Sequence, residues 1–145
     1  MSYVPRPIFH RLFPRVSALL CTGLATAGSG GDGGVFLPAN SPMISFSGRS
    51  VVDAATGHRS FDYPGCSFGV TFRGATAVTA ILHESGTNRY GVSFDGGRSW
   101  TRELNTTAGR QEYVVAVDLS PDATHELLML KLTEACSGVY GCPWG

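Results

Sequence analysis

From Met43 onward the chain is built of short runs in which apolar and polar residues alternate, separated by Gly, Asn, Asp and Pro. The runs recur at roughly ten-residue intervals, the rhythm of an antiparallel β-sandwich or barrel. In Cys66–Arg73, residues Phe68, Val70 and Phe72 point one way and Ser67, Gly69, Thr71 and Arg73 the other, as the period of two in a strand requires. Tyr90, Val92 and Phe94 repeat the alternation, and Tyr113, Val115 and Val117 predict another buried face. Thr76–Glu84 is more uniformly apolar, which predicts an inner strand covered on both sides. The last run, His125–Glu134, is ambiguous by pattern alone. Ser120-Pro121-Asp122 suits a helix start and the run has good helix formers, yet Leu128, Leu130 and Leu132 alternate as a buried strand face would.

Length and composition bound this picture. At 145 residues with 43% hydrophobic content and eight Phe, there is one domain with a sizeable core. The net charge of zero hides an asymmetry: residues 1–27 hold Arg6, Arg11 and Arg15 and no acid. The remainder is mildly acidic, which disfavours nucleic acid and anionic membrane as partners. Residues 1–27 read as a signal peptide: three arginines, a short apolar stretch from Val16 to Ala27, and Ala25-Thr26-Ala27 as an A-x-A cleavage site. Secretion is the expected localisation. An organelle transit peptide is the rival reading, because the segment is Arg-containing and acid-free; the apolar stretch is too short to span a bilayer. Gly28–Gly34 (GSGGDGG) opens a Gly-rich linker, 28–42, with neither the strand before it nor the helix after it that a nucleotide loop needs.

The polar residues that carry chemistry are few. Outside the leader the cysteines are Cys66, Cys136 and Cys142. Cys136 and Cys142 bracket a short Gly-containing loop and form a candidate disulfide, whereas Cys66 is expected to fill the core. Asn105-Thr106-Thr107 is a glycosylation sequon, with Asn105 as its acceptor. Ser93-Phe94-Asp95-Gly96-Gly97-Arg98-Ser99-Trp100 fits the S-x-D-x-G-x-x-W turn pattern, present once and without the repeats of a propeller. It predicts a hairpin in which Asp95 bonds the turn backbone, Gly97 takes a positive φ and Trp100 packs over the turn. The alternative for Trp100 is to stack against a sugar. His83-Glu84 reads as a surface pair rather than a metal site, and neither metal nor cofactor is expected. Lys131 and Glu134 read as an outward row, either solvent-facing or a docking surface.

Four pieces taken in order carry a resemblance: Gly48-Arg49; Tyr63 through Cys66 to Gly74 (YPGCSFGVTFRG); Tyr90–Gly96 (YGVSFDG); and His125 through Lys131 to Thr133-Glu134. From about Ile44 to Glu134 this series resembles the N-terminal jelly-roll domain of carbohydrate esterase family 2, the acetyl-xylan-esterase-like deacetylases. The resemblance implies an all-β jelly-roll β-sandwich of about eight strands over 43–135, a tail over 136–145, and a strand for the final run. It also implies a partner, an SGNH-type hydrolase domain whose serine, in a Gly-Asp-Ser context, is activated by a histidine. This chain has no Gly-Asp-Ser and no Gly-x-Ser-x-Gly, and His10, His58, His83 and His125 stand in no evident constellation, so no catalytic residue is assigned. Tyr63 stands where the family has tryptophan. The sequence reading is therefore a non-catalytic accessory domain of a polysaccharide deacetylase. Its alternative is a stand-alone secreted carbohydrate-binding module, with Trp100 and Arg49 as candidate substrate contacts; for Arg49 the competing role is a salt bridge across the sandwich. A remnant without activity is the third reading.

Overall fold

The computed structural model describes residues 15–22 and 34–133. Eleven strands lie among these residues, in two antiparallel sheets. In chain order they are β1 (Arg15–Thr22), β2 (Val35–Pro38), β3 (Ser45–Ser47), β4 (Val51–Val52), β5 (Arg59–Ser60), β6 (Ser67–Phe72), β7 (Ala77–Glu84), β8 (Asn88–Ser93), β9 (Arg102–Thr106), β10 (Gly109–Ala116) and β11 (His125–Lys131). One sheet runs β10-β7-β1-β5-β4, with β2 also paired to β1; the other runs β3-β6-β11-β8-β9. From β6 to β11 the chain passes back and forth between the sheets, and only β8–β9 is a hairpin within one of them. The result is an all-β jelly-roll sandwich, with more strands than expected because several are only two or three residues long.

Two strands arise upstream of the stretch expected to fold. Arg15–Thr22, inside the segment read as a leader, runs beside β7 from Arg15↔His83 to Thr22↔Ala77. Val35–Pro38, inside the stretch read as a linker, pairs with it from Ala18↔Pro38 to Cys21↔Val35, and Ala39 just beyond is buried. Cleavage after Ala27 would take β1 out of this sheet and leave β7, β2 and β5 without their common neighbour.

The inward residues of both sheets form one core. Phe68 packs against Phe46, Phe61 and Tyr90 at centroid separations of 5.8, 6.0 and 6.4 Å. Val70, Val92, Leu127 and Met129 continue that face, and Val78, Ala80, Leu82 and Val115 answer it from the other sheet. Cys66 fills a core position as expected, its thiol directed at the Arg49 carbonyl.

Two expectations about facing are corrected. Val117 was expected beside Tyr113 and Val115, but it is exposed. The register between β10 and β7 slips between Val114 and Ala116, and a bulge of this kind adds a residue that breaks the period of two. In β11 the inward series is Leu127, Met129 and Lys131, while Leu128, Leu130 and Leu132 lie half-buried on the outer face. Both series are apolar enough to serve, so the choice rests on pairing with β6 and β8, which one residue of slip would invert. Lys131, expected in an outward row, is therefore 1% exposed; Glu134 lies outside the described residues.

Candidate functional site

The turn after β8 is built as its sequence predicts. Asp95 Oδ1 accepts from the Ser93 hydroxyl at 2.7 Å and the Ser99 amide at 2.9 Å, and Oδ2 accepts from the Ser99 hydroxyl at 2.6 Å. The Gly97 amide donates to Ser93 Oγ at 2.8 Å, and Gly96 and Gly97 take φ of 71° and 92°, a region open to glycine without strain. The Ser99 hydroxyl, the Ser99 amide and the Ser93 hydroxyl together hold the Asp95 carboxyl well below its ordinary value of 3.8. A depressed folded-state pKa contributes stability that is complete above the unfolded value and is lost as pH falls through the folded one. The turn is thus secure at neutral pH and loosens only in strong acid. Asp95→Ala should accelerate hydrogen exchange at the Ser99 and Gly97 amides; unchanged exchange would mean that the carboxylate does not hold the turn.

This turn delivers Trp100 to the outer face of the β3-β6-β11-β8-β9 sheet. The benzo edge of its indole stands over Gly91, where an added Cβ would lie only 3.0 Å from Cε3 and 3.2 Å from Cζ3. Gly91 therefore leaves the room that Trp100 takes. The strand register sets one row across the face, Ser67–Leu130–Gly91–Glu103, and beside it Leu132 follows Leu130 while Arg89 pairs with Asn105. A shallow groove of about 360 Å³ is lined by Gly91, Trp100, Thr101, Arg102 and Glu103 with Leu130 and Leu132. Trp100 is 47% exposed there, and Arg89 Nη1 meets Glu103 Oε2 at 3.3 Å.

The other candidate residues lie elsewhere. Arg49 lines a separate depression with Phe61, Asp62 and Tyr63, its guanidinium 5.6 Å from the Tyr63 ring centroid. It makes neither of the two ion pairs found among the described residues, so a cation–π contact stands where a salt bridge was expected. The Tyr63 ring at this position supplies that contact. Asn105 is exposed on β9. Cys136 and Cys142 lie outside the described residues.

The sequence reading missed a buried polar chain at one end of the sandwich. Lys131 Nζ donates to the Thr133 carbonyl at 2.7 Å and to its hydroxyl at 3.2 Å. Thr133 Oγ1 donates to Asn88 Oδ1 at 2.5 Å, and Asn88 Nδ2 donates to Glu84 Oε2 at 2.7 Å. The Tyr90 hydroxyl completes it, donating to Glu84 Oε1 at 2.9 Å. Every bond runs from the ammonium end toward the carboxylate end. Burial raises the Glu84 pKa against the pull of its donors, and burial lowers that of Lys131 against the attraction of Asp62 and Glu84. Glu84 is 2% exposed, which corrects its reading as half of a surface pair. Perturbed pairs of this kind also mark active sites. Here both charges are sealed from solvent, so the chain ties β7, β8 and β11 together instead of meeting a substrate. The sequence held only a slight signal: Lys131 is its only lysine, and it alternates with the apolar Leu127 and Met129.

The Ser93 hydroxyl and the His125 ring are both engaged in architecture. Ser93 Oγ is held within the Asp95 turn, and His125 Nε2 donates to the Ser120 carbonyl at 2.9 Å while its ring packs on Phe72. No serine hydroxyl bonds a histidine among the described residues. No curated protein and no solved structure matches the chain. Residues 46–141, from within β3 to beyond β11, match the family described as carbohydrate esterase 2 N-terminal. That match covers more than half of the sequence and takes in the Tyr63–Gly74 segment, the Asp95 turn and the β11 strand, and on it the chain belongs to the carbohydrate esterase 2 N-terminal family.

Proposed function

We propose that this domain supports polysaccharide deacetylation without performing it, as the accessory partner of an SGNH-type hydrolase domain that supplies the nucleophilic serine. The observation that carries this reading is the family match over 46–141, in a domain whose Ser93 and His125 are spent on a turn and a loop. Attack on an acetyl ester needs a hydroxyl with a base in hydrogen-bond reach and donors aimed at the developing oxyanion. Nothing in the Trp100 groove supplies that pair: its polar groups are an arginine, a threonine and a glutamate already paired with Arg89.

The purified chain should show no turnover of p-nitrophenyl acetate or acetylated xylan above the buffer rate. Covalently joined to an SGNH hydrolase domain of the same family, it should raise that domain's turnover of acetylated xylan over the hydrolase alone. Turnover by the isolated chain that disappears when one serine is changed to alanine would overturn the reading.

A further inference from the structure

We propose that the groove beside Trp100 is a binding subsite for a neutral pyranose polysaccharide, a proposal that takes its ligand class from the accessory-domain reading above. Three features converge. An aromatic ring is half-exposed on an otherwise regular sheet face, and it is placed there by a dedicated turn with five side-chain-directed hydrogen bonds between Ser93, Asp95, Gly97 and Ser99. The strand beneath the ring carries glycine, so that Trp100 stands as a wall beside a floor of Gly91, Leu130 and Leu132. A wall of π-surface over an apolar floor suits the C–H face of a sugar ring.

The polar groups complete the match. Glu103 lies directly across from Gly91, and its exposed carboxylate meets Arg89 at 3.3 Å. Carboxylate and guanidinium side by side present acceptors and forked donors, the combination that bonds neighbouring hydroxyls of one ring. Arg102 adds no charge to this face: it pairs with inward Val92, and its guanidinium turns to the other sheet, donating to the Val115 carbonyl at 3.3 Å. Charge decides the ligand's sign. Arg89 is balanced by Glu103 and Arg98 by Glu126 at 3.9 Å, so the face offers no strong positive field to a uronic-acid polymer or a phosphate. A neutral chain of xylan or glucan type fits this better than an acidic one.

Affinity gel electrophoresis of the whole chain tests this, with soluble neutral xylan, mixed-linkage glucan and polygalacturonate as separate probes. Retardation by a neutral polymer is expected. It should weaken about tenfold or more in Trp100→Ala and survive in part in Trp100→Phe, which keeps a ring. Near-UV circular dichroism checks that each variant is folded. Should Trp100→Ala fail to fold, Glu103→Ala decides, because its side chain is exposed and its loss should still weaken retardation several-fold. Absence of retardation by both neutral polymers, stronger retardation by polygalacturonate, or full binding by folded Trp100→Ala would each overturn the subsite. The esterase assay is independent of these outcomes: a subsite that fails leaves the accessory reading standing, and turnover by the isolated chain defeats that reading whatever the gels show.

Discussion

Replacing Lys131 with methionine should cost about 3 kcal/mol or more of unfolding free energy, although methionine is apolar and of similar length. The ammonium is buried, and its removal leaves the Glu84 carboxylate in the interior without the positive charge at the other end of the chain of bonds. Burial already raises the Glu84 pKa, and loss of Lys131 raises it further. A group with a raised folded-state pKa contributes stability that is full below the unfolded value, here 4.5, and is lost as pH climbs through the folded one. The deficit of Lys131→Met should therefore be small in acid and widen toward neutral pH. Adding Glu84→Gln should flatten this slope and recover part of the loss, since a neutral pair is cheaper to bury than a lone charge. Urea unfolding of the parent and both variants at a series of pH values measures this. A Lys131→Met chain as stable as the parent at pH 7 would show that the ammonium is not part of the interior.

Phe68→Ala should cost about 3–5 kcal/mol, the range for removing a fully buried ring that its neighbours do not refill. Phe68 is 1% exposed and touches Phe46, Phe61 and Tyr90, which come from three different segments. Those neighbours are aromatic, and Phe46 and Tyr90 are themselves held by strand pairing, so the cavity has little means of collapse. Phe68→Leu should lose less, because the shortened side chain still fills part of the space. The urea midpoint reads both. A loss below about 1 kcal/mol for Phe68→Ala would mean that the two sheets do not pack through this ring.

Particular residues show what made some features legible. The Asp95 turn could be read directly because the Asp95 carboxylate's partners, Ser93 and Ser99, lie within a few residues of it, and because short-range hydrogen-bond chemistry selects those residue types. Cys66 and the alternation around Phe68 and Tyr90 were legible for the same local reason. The groove was not. Gly91 matters to Trp100 because the hairpin brings the ring back over the strand, and Glu103 and Leu130 reach it from two other strands. The buried chain from Lys131 to Glu84 was hidden more deeply, since it joins residues 47 positions apart, and a lysine in an alternating run is ordinarily an outward one.

Local sequence alone carries the fold class, the core face of β6 and β8, the turn that presents Trp100 and the family to which the chain belongs. Each is written in local pattern: a period of two, a glycine where φ is positive, motifs kept in order. The tertiary structure decided what local pattern leaves degenerate. It chose between the two apolar series of β11, set Lys131 inside and Leu128, Leu130 and Leu132 outside, ended the Tyr113–Val115 face with a bulge, and drew residues 15–22 and 35–38 into a sheet with β7. The physical reason is common to all of these. A strand's partners are distant in the chain, and its register changes which face is buried without changing any of its own residues.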